Sequence, residues 1–254
     1  MAYIDLRGHK VWSVEGEENG APLLLLHGGL SSTESFDWQV IPAVGHRFHV
    51  YGYDRTAHGR TPVREGYYHF DFQTDEAISY IEDVIGRPAH IIGHSDGGII
   101  ALMVALKRPD LVLSIIAGGT NYHWDCNLNF FDEPIVISDE DKAKFAERSP
   151  EPAYMQEVII KKAYEVWAKE PNMTLQEIST ISCPVLVLNG DDEPFDNHHG
   201  VDLYEALPNG RLAIVPGTSH AALKEKNEIC LAIITDFYDH PEMRGEMGAF
   251  DELA

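Results

Sequence analysis

Short apolar runs alternating with helical stretches predict an α/β chain, a mostly parallel sheet covered by helices on both faces. Two observations carry that expectation. The runs Pro22–Leu26, Phe48–Tyr53, Ala89–Ile92, Leu111–Ala117, Pro184–Leu188 and Leu212–Val215 are continuously apolar, the pattern of strands buried on both faces. Between several of them the apolar spacing turns helical, at 71–85, 97–107 and 222–238.

At the start of the chain, residues 2–7 and 9–15 alternate apolar and polar around Gly8, which predicts two antiparallel strands joined by a tight turn. With the continuous runs this makes a sheet of eight strands. The regular alternation breaks once, between Ala117 and Pro184. That stretch holds no good strand but has two helix-start signatures, Ser138-x-x-Asp141 and Thr174-x-x-Glu177. Within it Met155, Val158, Ile159, Ala163, Val166 and Trp167 fall at helical spacing and form one apolar stripe, which is expected to dock the segment on the body. The expected organisation is a core of 1–120 and 181–240, a helical insertion at 121–180 between strands 6 and 7, and a frayed tail at 241–254.

The 254 residues include 41 acidic side chains against 19 basic ones, a formal charge of −22, and 44% are hydrophobic. That apolar share can fill a sizeable core and excludes global disorder. A field of this sign repels phosphate backbones and anionic lipid, so neither a nucleic-acid nor a membrane partner is expected. Cys126, Cys183 and Cys230 are odd in number and widely spaced, unlike a disulfide framework. The N-terminal residues lack the pattern of a leader, and no apolar run approaches the ~18 residues of a membrane span. A cytoplasmic protein is expected, its assembly state open, a homodimer included.

The most informative segment is Ile91-Ile92-Gly93-His94-Ser95-Asp96-Gly97-Gly98-Ile99-Ile100. An apolar strand runs directly into Gly-x-Ser-x-Gly and then into an apolar helix, the context of a nucleophile elbow. Gly93 and Gly97 remove the Cβ atoms that would clash across the turn, and the helix start leaves unpaired N–H groups beside the Ser95 hydroxyl. A serine needs a base, and the base an orienting acid. Pro216-Gly217-Thr218-Ser219-His220 follows the last strand and offers His220 as the base. His94 is expected to pack inside the elbow, and the adjacent His198 and His199 do not converge on one metal from a helix. No H-E-x-x-H or Cys/His cluster occurs, so no metal is expected. For the acid, Asp191, Asp192 and Glu193 stand together at the end of one strand.

At these residues the chain resembles the α/β-hydrolase superfamily, and within it the small, esterase-like serine hydrolases with a helical cap between strands 6 and 7. The resemblance covers roughly residues 2–238. It rests on Leu26-His27-Gly28-Gly29, on Asp54-Arg55-Thr56-Ala57-His58-Gly59-Arg60-Thr61, on the Gly93–Gly98 elbow, on the Gly190 loop and on Gly217–His220. It implies an α/β-hydrolase fold and a cofactor-free reaction. It also implies an oxyanion hole of the Gly29 and Asp96 backbone N–H groups, with Leu30 as a one-residue alternative to Gly29. The Asp54–Thr61 segment departs from the family turn in having Ala57 where glycine is usual, and it is read as scaffold. In the family pattern the acid stands three residues after glycine, which here is Glu193; a one-residue shift would select Asp192.

The expected chemistry is acyl transfer to water on a small-molecule ester or related acyl compound. Cleavage of a carbon–carbon bond, lactone opening and perhydrolysis use the same triad, and a hydrolase-like ligand receptor is the non-enzymatic alternative. An epoxide hydrolase or haloalkane dehalogenase is disfavoured, because those relatives carry a carboxylate where this chain has Ser95. The Asp96 side chain is a candidate partner for a cationic substrate group, as in family members that cleave amino-acid esters through a similar Ser-Asp-Gly-Gly elbow. Trp124, Phe130, Phe131, Tyr154 and Trp167 are candidate pocket walls, with Trp124, Tyr154 and Trp167 as the substrate-binding set.

Overall fold

A computed structural model describes residues 1–128 and 135–240. The expected tail at 241–254, and Phe130 and Phe131, lie outside the described residues.

β1 (Ala2–Leu6) and β2 (His9–Glu15) pair antiparallel up to Leu6↔His9. Arg7 and Gly8 turn the chain between them with φ of 52° and 86°, the left-handed pair that a two-residue hairpin requires. β3 (Ala21–Leu26), β4 (Phe48–Tyr53), β5 (Ala89–His94), β6 (Val112–Gly118), β7 (Val185–Asp192) and β8 (Gly210–Ser219) complete one eight-stranded sheet. Its order is β1-β2-β4-β3-β5-β6-β7-β8, antiparallel through β2 and β4 and parallel from there on.

The continuous apolar runs divide by residue parity, as a pleat demands. Leu24, Leu26, Ile91, Ile115, Val185 and Val187 join one core with α1 (Phe70–Tyr80), α2 (Asp96–Lys107) and α5 (Asn197–Ala206). Leu23, Leu25, Ile92, Ile116, Leu186 and Leu188 face the other, closed by Phe36, Val40 and α6 (Asn227–Asp239). Two helical stretches are less continuous than their spacing predicts. The first passes at Ile81 into one wider turn that ends at Gly86 with φ 71°, and the last breaks at Lys226 (φ −131°, ψ 56°).

Between β6 and β7 lie α3 (Asp139–Arg148) and α4 (Met155–Trp167), with a helical turn at Leu175–Ile178. Both start signatures operate: Ser138 Oγ accepts the Asp141 N–H at 3.0 Å, and Thr174 and Glu177 bond reciprocally. α3 buries no residue, whereas α4 buries Ile159, Ala163 and Val166 against the body. Val158 departs from the expected stripe. It is 44% exposed, because it shares a face with Lys161, Lys162 and Glu165 rather than with Ile159 and Val166. Among the described residues no helix is long and apolar enough to cross a membrane.

Candidate active site

The carboxyl ends of β3, β5, β6, β7 and β8 meet along one edge of the sheet, and the chemistry-bearing residues stand in the connections that follow them. Ser95 links β5 to α2 with φ 54° and ψ −122°, a conformation that side-chain-bearing residues adopt only under constraint. The constraint is visible. Its N–H donates to the Gly118 carbonyl at 2.7 Å, while its own carbonyl accepts the N–H groups of Gly98 (2.8 Å) and Ile99 (3.1 Å). A Cβ at Gly93 would stand 2.2 Å from the Gly97 oxygen, and one at Gly97 1.9 Å from the Leu26 oxygen, so both positions exclude a side chain.

The candidate acid and base are brought together by the sheet itself. Pairing of β7 with β8 continues past Gly190 to Asp192↔Ser219, with a register shift on the way. The next residues on the two strands are Glu193 and His220, and Glu193 Oε2 lies 2.6 Å from His220 Nδ1. The other carboxylate oxygen, Oε1, accepts the Gly190 N–H at 2.8 Å, which fixes the rotamer, and the Glu193 side chain is 1% exposed. Asp192 is exposed and in the ladder, and Asp191 accepts the Thr218 N–H at 3.0 Å. Of the three carboxylates, Glu193 alone bonds to His220. His94 Nε2 lies 2.8 Å from the His220 carbonyl oxygen, so that nitrogen carries the proton. Burial pushes the His94 imidazole down to about 4, with His220 adding to the shift.

Asp96, the first residue of α2, is 2% exposed. Its Oδ1 accepts the Trp167 indole N–H at 3.0 Å, and its Oδ2 lies 3.8 Å from Arg55 Nη2 without a hydrogen-bond partner. Burial raises the Asp96 carboxyl above the ordinary range, and Arg55 and the Trp167 bond oppose that rise. The indole lies close on the loop after β3: a Cβ at Gly29 would meet Trp167 at 2.4 Å and Asp96 Oδ2 at 2.7 Å.

These groups enclose a cavity of about 310 Å³. Gly29, Ser95, Asp96, Trp167 and His220 line it, together with Ile99, Leu128, Tyr164 and Phe195. A model of the alpha/beta hydrolase family matches residues 23–232. The chain belongs to the alpha/beta hydrolase family. This hydrolase is 26% identical over 223 residues to the mouse (Mus musculus) serine hydrolase BPHL, covering 81% of this chain and 74% of that one. It is 30% identical over 100 residues to RutD of Stutzerimonas stutzeri, where the match spans only 38% of that relative's length. Among solved structures, a mutant of the meta-cleavage product hydrolase CumD of Pseudomonas fluorescens IP01, complexed with acetates, superposes with a TM-score of 0.75 at 18% identity. That superposition covers 95% of this chain and 98% of CumD and speaks to the fold.

Among the described residues, several other candidates fall outside the cavity of the hydrolase. Trp124 and Tyr154 are 40% and 71% exposed, so only Trp167 of the three aromatic candidates lines it. Leu30 lines a larger cleft under α3 and α4, which shares Tyr164 with this cavity. His198 stands on the surface beside Asp196, and His199 Nε2 accepts the N–H groups of Tyr122 and His123, both at 3.2 Å. Tyr164, Leu128 and Phe195 are cavity residues that sequence reasoning does not single out. Tyr164 had a signal, since it precedes Trp167 by three residues on one helix and so shares its face.

Proposed function

We propose that this hydrolase cleaves a small carboxylic ester through Ser95, His220 and Glu193. The observation that carries the reading is the 2.6 Å contact between Glu193 Oε2 and His220 Nδ1, made on the wall of the cavity that Ser95 also lines. A carboxylate on Nδ1 holds the imidazole in the tautomer that leaves Nε2 unprotonated, and Nε2 then acts as the base.

Ser95 Oγ attacks the ester carbonyl while its proton passes to His220 Nε2. The backbone N–H groups of Gly29 and Asp96 receive the oxyanion. Collapse expels the alcohol, which takes the proton back from Nε2 and leaves the acyl group on Ser95. A water activated by the same nitrogen then releases the acid. The imidazolium formed in each half-reaction is stabilised by Glu193, buried and anchored on the Gly190 N–H. The residues 121–180 act as a cap, supplying Tyr164, Trp167 and Leu128 to the cavity. Its volume and its mixed lining, Ile99, Leu128, Phe195 and two aromatics of α4 beside the polar Asn121 and Glu170, suit a small, partly apolar acyl or alcohol group, with no cofactor needed.

The test is p-nitrophenyl acetate hydrolysis by the purified protein beside Ser95→Ala, with fluorophosphonate labelling of Ser95. Full activity in Ser95→Ala sinks the mechanism. Lactones and diketones in the same panel identify lactone opening or carbon–carbon cleavage if either outruns the ester.

A second reading concerns the Asp96 side chain as a site for a substrate ammonium group. The buried Oδ2 without a hydrogen-bond partner favours it; Arg55 and Trp167, already facing the carboxylate, weaken it. Equal kcat/KM for esters with and without an α-amino group removes it.

A further inference from the structure

We propose that Arg55 is a positioning residue for the oxyanion hole, setting the direction of the Gly29 N–H through the peptide that Gly29 shares with Gly28. The proposal rests on the serine-hydrolase reading above and assigns a task to a segment whose sequence suggests scaffold alone.

Arg55 is 0% exposed, in the connection after β4. Its Nη2 donates to the carbonyl oxygens of His27 and Gly28, both at 2.9 Å. Its Nη1 donates to Gln73 Oε1 on α1, and its backbone N–H donates to His27 Nε2 at 3.1 Å. The guanidinium therefore grips the loop immediately before Gly29. The Gly28 carbonyl and the Gly29 N–H belong to one planar trans unit and point in opposite directions. Holding that carbonyl against Arg55 turns the Gly29 N–H away from Arg55, toward the cavity that Gly29 lines with Ser95. His27 Nδ1, 2.8 Å from the same carbonyl oxygen, braces it from a second side. A cationic donor on the carbonyl also polarises the amide, making its N–H a stronger donor to a developing oxyanion.

The same guanidinium reaches the second proposed donor. Asp96 supplies its own N–H to the oxyanion, and its carboxylate is the ion partner of Arg55 at 3.8 Å. Arg55 thus ties the two halves of the hole, the loop after β3 and the start of α2, to one buried charge braced by Gln73. A lysine keeps the charge but cannot span two carbonyls, a glutamine side chain and a carboxylate at once.

The experiment measures kcat and KM on p-nitrophenyl acetate for wild type, Arg55→Lys and Arg55→Gln, each corrected for active sites by fluorophosphonate titration. Inhibition by phenylboronic acid, which forms a tetrahedral adduct on a serine oxygen, is measured beside it. The expected result is a kcat lowered about 10- to 100-fold, KM changed less than about threefold, and boronate affinity falling in parallel with kcat/KM. A role in folding alone would reduce the titrated sites and leave kcat per site and boronate affinity at wild-type values; that result in Arg55→Lys overturns the proposal. If neither Arg55 variant folds, Gln73→Leu, which frees the guanidinium from α1, carries the same test with the same two outcomes. Absence of Ser95-dependent activity in wild type would instead remove the serine-hydrolase reading, and is separately visible.

Discussion

The carboxyl edge of the sheet and the helical segment 121–180 both border one cavity, yet they are built on opposite terms. Along the sheet edge the three proposed triad residues are held by main-chain bonds and strand pairing. Ser95 is fixed by three main-chain bonds, Glu193 by the Gly190 N–H, and Glu193 and His220 by the strand pair that ends just before them. In the helical segment α3 buries nothing, α4 buries three residues on one stripe, and one indole bond from Trp167 to Asp96 reaches the elbow. On the proposed mechanism the reacting atoms are thus placed by the sheet, whereas the segment above it lines the space they act in.

The largest effect bearing on this contrast is at Ser95. Ser95→Ala is expected to lower kcat on activated esters by roughly 10⁴-fold or more, read in a stopped assay with the contaminating background subtracted. Next comes the acid. Glu193→Gln should lower kcat by about 10²- to 10⁴-fold while Asp192→Asn stays within about twofold. Equal losses in the two variants would mean that the strand pairing does not select the acid.

Acid sensitivity is expected from four histidines with lowered pKa, of which His199 also bonds the helical segment. Burial lowers His94 and His199 to about 4, and lowers His27 and His58 well below the ordinary range. The unfolded chain takes up these protons near pH 6.5, whereas the native state resists them, His94 and His199 until about 4, so the native state binds fewer protons in between. Stability therefore rises with pH across that window and falls by on the order of a few kcal/mol on acidification from 7 to 4. Thermal melts in a pH series would show it, and a Tm independent of pH over that range would contradict the neutral buried imidazoles.

Smaller effects probe the role of the helical segment. Trp167→Phe removes the donor to Asp96 Oδ1 and is expected to cost about 1–3 kcal/mol of stability, with KM raised more than kcat is lowered. Trp124→Ala and Tyr154→Ala, at exposed positions, should leave kcat and KM within about twofold. If either matched Trp167→Phe in its effect on KM, substrate would be reaching the outer surface of the segment and the contrast would fail.

Legibility follows the same divide. The strands are readable because burial on both faces leaves a continuous apolar run, and the elbow because a strand, two glycines and a helix must follow one another within ten residues. Strand ends are less legible. Gly190-Asp191-Asp192 and Pro216–Ser219 have poor strand propensity, and only pairing with each other makes them strand. That extension is what separates Glu193 from Asp192, two adjacent acids that composition cannot distinguish. Trp124 and Tyr154 are indistinguishable from Trp167 by type, because an aromatic in a helical segment carries no sign of which surface it meets.

The class of fold, the apolar runs that become strands, the nucleophile candidate and the loop histidine are all written in the amino-acid sequence, because each depends on short-range chemistry: apolar period, glycine at a forced turn, a histidine after the last strand. Folding in three dimensions was needed to select which carboxylate meets that histidine and which indole closes the cavity. It also brought Arg55, distant in sequence from Gly29, onto the peptide before it. Those outcomes depend on register and on contacts across the sheet edge, where one residue of slip exchanges one side chain for its neighbour.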